Sequence, residues 1–247
     1  MCLTRVVLAA CLAGAPAPTP AQRPAPAPAD TGRLGGLSLV EVRPTRPGLP
    51  RAVAVLLTGD GNWADLVRQV AGTLADSGVA VVGFRMRAYL TGAHRTPDDA
   101  AADVARVART YLARWGAPRV ALVGYSRGAD LLPFVASRLP DDLRPRVAAV
   151  AMFGLARAAS FEFHWSDLVR DDARASDLPV APELPRMRAA LPAARLVCVY
   201  GAEEADTGCR DASPALLTRV ARPGAHHFDG DYALLGRVVL DAVAGRG

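Results

Sequence analysis

Short, mostly apolar runs alternate along the chain with longer stretches in which apolar residues recur every three to four positions. The runs Leu37 to Val42, Val53 to Thr58, Val79 to Phe84, Arg119 to Val123, Val147 to Phe153, Arg195 to Tyr200 and Leu217 to Ala221 have the length and β-branched content of buried strands. Between them, Trp63 to Asp76, Pro97 to Arg114, Ala129 to Leu139, Glu183 to Leu191 and Asp231 to Ala244 carry helical periodicity. The second of these places Val104, Val107, Ala108, Tyr111 and Leu112 on one face, with Pro97 suited to its first turn. Strands that alternate with helices, and that are apolar on both faces, predict a mostly parallel central sheet covered by helices.

Composition bounds this picture at its amino end. Residues 1–15 carry one charge, Arg5, before a short apolar stretch too brief to span a bilayer, and read as a secretory signal. Within it Leu8-Ala9-Ala10-Cys11 resembles a lipobox that would make Cys11 the lipidated first residue; an ordinary cleaved signal is the other reading. Residues 16–33, with a Pro/Ala alternation through Ala29, are expected to act as an extended tether, leaving 34–247 as one domain. Of 247 residues, 51% are apolar, enough for a large core. The formal charge of +5 comes entirely from arginine, since the chain has no lysine. These arginines are scattered, without a basic run interleaved with aromatics and without zinc-ligand spacing, so nucleic acid is not an expected partner, whereas an anionic membrane surface is compatible. Neither a metal nor an organic cofactor is expected.

The candidate chemistry begins at Gly124-Tyr125-Ser126-Arg127-Gly128, directly after an apolar run and before a helical pattern. A serine between small residues at a strand-to-helix turn stands clear of the backbone, so Ser126 is the candidate nucleophile of an α/β-hydrolase fold. The Arg127 backbone N–H, at the positive end of the helix, is one expected oxyanion donor, and the backbone of Gly59 or Asp60 is the other. The plainer alternative for that loop is a tight turn with Asn62 as the helix cap. In this fold an acid and then a histidine follow the serine in chain order. The acid lies in Gly201-Ala202-Glu203-Glu204-Ala205-Asp206: Glu204 fits a Gly-x-x-acid spacing, and Asp206, with the shorter side chain, is preferred. The base lies in Pro223-Gly224-Ala225-His226-His227-Phe228, where His227 is preferred and His226 is the alternate. His94 and His164 read as structural or surface groups. Cys198 and Cys209 bracket the acidic loop, and in an oxidising compartment would form a disulfide. The charged segment Phe161 to Pro185 occupies the place of a lid but is short, so a minimal lid and an open site are expected; Trp63, Phe161 and Trp165 either line that site or belong to the core.

Four stretches together resemble the VirJ and AcvB family of bacterial virulence proteins. They are Thr58 to Asp65, Gly124 to Asp130 with Leu132-Pro133-Phe134, Tyr200 to Glu204 closing at Cys209, and Gly224 to Tyr232. The resemblance implies a periplasmic hydrolase that cleaves the aminoacyl ester of lysyl-phosphatidylglycerol, with anionic membrane phospholipid as substrate and an association with secretion. Asp130, one turn beyond Ser126, would then meet the cationic headgroup, or else pair locally. AcvB-like relatives often carry an additional amino-terminal domain, whereas the resemblance here covers the hydrolase part. A generic periplasmic carboxylesterase and a noncatalytic secretion-associated binding module are the rival readings.

Overall fold

The protein is described by a computed structural model covering residues 33–168 and 176–246. The signal, most of the tether, Cys11 and part of the lid segment lie outside the described residues. Strands β1 (Arg33–Leu34), β2 (Leu37–Val42) and β3 (Ala52–Leu57) precede helix α1 (Asp65–Asp76) and β4 (Val79–Phe84). The chain continues through α2 (Met86–Leu90), α3 (Pro97–Trp115), β5 (Val120–Tyr125), α4 (Arg127–Ser137) and β6 (Val147–Phe153). It closes with β7 (Ala158–Ala159), β8 (Leu178–Pro179), α5 (Glu183–Ala190), β9 (Arg195–Gly201), α6 (Gly208–Asp211), β10 (Thr218–Arg222) and α7 (Tyr232–Ala244).

Eight strands form one sheet in the order β1-β2-β4-β3-β5-β6-β9-β10. Only β1–β2 and β2–β4 run antiparallel; every other pairing in it is parallel. All six residues of β3 are buried, because both sheet faces are covered. Val53, Val55 and Leu57 join α3, α4 and α5 in one core, while Ala54 and Leu56 join α1 and α7 in the other. This is the period-two alternation of a strand serving two layers. Helix α3 starts at a reciprocal Thr96–Asp99 capping box and stops at Gly116, whose φ of 66° suits glycine. Asn62 does not cap α1, whose N-cap is Ala64 without a side-chain bond. Asn62 instead takes a positive φ of 55° inside the β3–α1 loop.

The described part of the lid segment is small. A two-residue pairing of β7 with β8 and a helical turn at Trp165–Leu168 stand in its place. Phe161 and Phe163 are buried, Trp165 is 67% exposed, and Trp63 packs on the sheet where a side chain at Gly83 would collide with its ring.

Candidate active site

The carboxyl ends of β3, β5, β6 and β9 converge, and each contributes a loop. Ser126 sits between β5 and α4 at φ 54° and ψ −128°, an arrangement that costs about 1–3 kcal/mol and persists because its surroundings enforce it. Gly124 and Gly128 make that turn possible. A Cβ on Gly124 would lie 2.5 Å from the Gly128 oxygen, and one on Gly128 would lie 2.2 Å from the Leu57 oxygen. The Ser126 N–H donates to the Phe153 carbonyl at 2.9 Å, fastening the elbow to the end of β6.

Across the turn lies the β3–α1 loop. The position a Cβ would take at Gly59 is 3.0 Å from Ser126 Cβ, so the backbone of Gly59 and Asp60 borders the serine. Arg127, first residue of α4, grips this loop through its side chain: Nε and Nη2 donate to the two Asp60 carboxylate oxygens at 2.6 and 2.9 Å. Its Nη1 donates to the Glu162 carbonyl at 3.3 Å. This bidentate, largely buried pair fixes the two backbone segments expected to bind an oxyanion. Sequence reasoning identified Asp60 and Arg127 only through their backbones and missed the clamp between their side chains.

The acid and histidine loops are pressed together at the end of β9, where a Cβ on Gly201 would lie 2.2 Å from the Ala225 oxygen. Here the structure corrects the preferred pairing. Glu204, buried, reaches His226 Nδ1 with Oε1 at 2.5 Å and accepts from the Gly201 N–H with Oε2 at 3.2 Å. Asp206 points outward, its side chain 70% exposed, and pairs with Arg157 at 2.6 Å. His227 is exposed and meets the Tyr125 hydroxyl through Nδ1 at 3.1 Å. The alternates Glu204 and His226 thus form the carboxylate–imidazole pair, and Asp206 and His227 do not. The physical reason is the next residue, since Phe228 is buried in the α1/α7 core and that anchor turns His226 inward and His227 out.

The His226 ring lies over Gly154, whose φ of 64° and missing side chain leave it room; a Cβ there would be 2.5 Å from His226 Cε1. Gly154 directly follows Phe153, the residue to which Ser126 is bonded, so imidazole and serine are seated on adjoining backbone. Ser126 Oγ makes no hydrogen bond among the described residues.

Asp130 turns onto local structure, Oδ1 accepting from the Ala156 N–H at 2.8 Å. Burial pushes its carboxyl up to about 7, opposed by that hydrogen bond and by the charges of Arg127 and His226. Burial also raises the Tyr125 hydroxyl well above the usual phenol range, with Tyr232 and Glu204 adding to the effect. His94 and His164 both contact Glu162, and their hydrogen bonds hold that carboxyl below its usual range. Cys198 and Cys209 form a disulfide with their Cα atoms 5.5 Å apart, closing the loop that carries Glu204. Among the described residues no group of three or more His, Cys, Asp or Glu side chains is placed to hold a metal ion, and no helix is long and apolar enough to cross a membrane.

The family described as "Bacterial virulence protein (VirJ)" matches residues 51–247. No curated protein matches the chain significantly. Among solved structures it is similar to Est1E from Butyrivibrio proteoclasticus, at 15% identity and a TM-score of 0.57, covering 86% of this chain and 97% of that one. It is similar also to a putative dienelactone hydrolase from Klebsiella pneumoniae, at 16% identity and a TM-score of 0.58, covering 85% and 93%. A third is XC6422 from Xanthomonas campestris, an α/β serine hydrolase without lid, at 15% identity and a TM-score of 0.56, covering 85% and 88%. At these identities the likeness establishes the α/β-hydrolase fold.

Proposed function

The chain belongs to the VirJ family of bacterial virulence proteins, and we propose that it is a serine ester hydrolase whose substrate is the aminoacyl ester of lysyl-phosphatidylglycerol. The observation that carries the hydrolase reading is the Glu204–His226 pair seated on Gly154 beside the strained Ser126. The substrate rests on the motifs shared with the family and on the chemistry of an open, lightly lidded site, which suits a headgroup ester better than a long acyl chain.

In this reading Ser126 Oγ attacks the lysyl carbonyl and His226 takes its proton, while Glu204 holds the ring with its Nδ1 proton toward the carboxylate. The backbone N–H of Arg127, with that of Gly59 or Asp60, receives the developing oxyanion. Collapse expels the glycerol oxygen of phosphatidylglycerol, which leaves with the proton from His226. Water, deprotonated by the same imidazole, then releases lysine and restores Ser126. Export to the periplasm, with or without a lipid at Cys11, would bring the enzyme to this substrate.

The test mixes the purified full chain with vesicles containing lysyl-phosphatidylglycerol and follows free lysine, with Ser126→Ala as control. Lysine release that depends on Ser126 is the expected outcome. Absence of release, with Ser126 still labelled by a fluorophosphonate, would keep the hydrolase and reject the substrate, leaving the generic carboxylesterase. Absence of labelling as well would favour the noncatalytic binding module.

A further inference from the structure

The rim of the site contains two arginines in opposite electrostatic situations. Arg127 is neutralised by Asp60. Arg87, half-buried in α2, has no carboxylate within ion-pair distance among the described residues. Its neighbours orient it without compensating its charge. With the Asn62 carboxamide turned so that both groups are satisfied, its side-chain oxygen accepts from Arg87 Nη2 at 2.8 Å and Nε at 2.9 Å, and the Trp165 ring centroid lies 5.9 Å from the guanidinium carbon. A guanidinium has five N–H donors, so the carboxamide occupies one edge and the Nη1/Nη2 fork keeps its remaining donors. A planar fork of this kind matches the paired oxygens of a phosphate.

Arg87 is also fixed relative to the reacting centre. The Met86 N–H donates to Thr58 Oγ1 at 3.1 Å, and the Thr58 N–H donates to the Phe84 carbonyl at 3.0 Å, so α2 is fastened to the start of the β3–α1 loop. Asn62 donates its own N–H to the Gly59 carbonyl at 3.0 Å. The residue that orients Arg87 therefore belongs to the same tight turn as the backbone bordering Ser126, and its positive φ marks the turn as held in place.

We propose that Arg87 is a substrate-specificity residue that binds a phosphodiester anion next to the scissile ester. This rests on the aminoacyl-phospholipid reading above, in which the leaving glycerol carries the phosphodiester on the same three-carbon unit as the ester. Asn62 and Trp165 are positioning residues: one sets the rotation of the guanidinium, and the other places its ring face over it.

Two measurements on the full chain test this. In the first, glycerophosphoglycerol, the water-soluble headgroup, is titrated calorimetrically into the parent protein, Arg87→Gln and Arg87→Lys, with diglycerol and inorganic phosphate as comparison ligands and thermal unfolding as a check on folding. We expect glycerophosphoglycerol to bind the parent, diglycerol not to bind, and Arg87→Gln to weaken binding by about tenfold or more, with Arg87→Lys intermediate because it keeps charge and loses the fork. No binding to the parent, or equal binding to Arg87→Gln, overturns the proposal. Inorganic phosphate binding more tightly than glycerophosphoglycerol would overturn it in favour of a free-anion site. The second measurement compares kcat/KM for lysyl-phosphatidylglycerol with that for lysine methyl ester. A ratio that falls by about tenfold in Arg87→Gln, chiefly through KM, supports the assignment; an unchanged ratio refutes it. Because the titration needs no turnover, it stays readable even if lysine is not released in the Ser126 assay.

Discussion

At the scale of single residues, the choice between neighbours is made by burial. Glu204 and Asp206 are two positions apart, as chemically alike as two residues can be, yet one is shielded and bonded to His226 while the other pairs with Arg157 in solvent. The consequence is a sharp asymmetry between substitutions. Glu204→Gln should lower kcat for ester hydrolysis by about 10²–10⁴-fold, since the amide oxygen kept by the Gly201 N–H leaves the NH2 facing His226 Nδ1, which removes the charge and selects the wrong tautomer. Asp206→Asn removes only an exposed ion pair and should leave kcat within about twofold. The same contrast should separate His226→Ala, which abolishes turnover and fluorophosphonate labelling, from His227→Ala, which removes a contact to Tyr125. Steady-state kinetics with a chromogenic ester would check all four, and a larger loss at Asp206 than at Glu204 would refute the assignment.

At the scale of elements, the loop between β9 and α6 holds Glu204 between two covalently joined ends. The eleven-residue separation of Cys198 and Cys209 implies about 2–3 kcal/mol of stabilisation from restricting the unfolded chain. Cys198→Ala with Cys209→Ala should therefore lower the melting temperature by roughly 5–10 °C and lower kcat before global unfolding, as the Glu204 loop loses one of its tethers. Equal melting temperatures for the parent with and without reductant, under conditions where thiol titration shows the bond cleaved, would sink this expectation. Elements of this kind differ in how far their sequence reveals them. The strands from Ala52 onward through Tyr200 and the long helices were legible because burial on both sheet faces leaves largely uninterrupted apolar runs, and one-sided burial leaves a three-to-four-residue period. Strands β1, β7 and β8 have two residues each, and α2 has five, too few to show a period. The turn from His226 to Phe228 was legible as a loop, but which histidine faces inward depends on where Phe228 is buried, a tertiary fact absent from local spacing.

At the scale of the whole molecule, stability and chemistry meet at Asp130. The ordinary carboxyl value of 3.8 is pushed up to about 7 by burial in the fold. Between these values the native protein retains a proton that the unfolded chain has released. Ionising Asp130 therefore costs the folded state, and this contribution to stability declines as pH rises from about 4 to about 7 and is constant outside that window. Asp142, Asp99, Glu162 and Glu183 shift downward and act in the opposite sense, through hydrogen bonds from Arg109, Thr96, the Glu162-bound histidines and Arg138 respectively. A pH profile of the parent alone would mix the two effects. Comparison with Asp130→Asn separates them, because the variant keeps every other carboxylate and an oxygen able to accept from Ala156, and resembles the protonated aspartic acid in shape and charge. The melting temperature of Asp130→Asn minus that of the parent should be smallest near pH 4, grow toward pH 7 and level off above it. A difference that stays constant or shrinks across that range would show that Asp130 is ionised in the native state throughout, and would place a compensating charge against it.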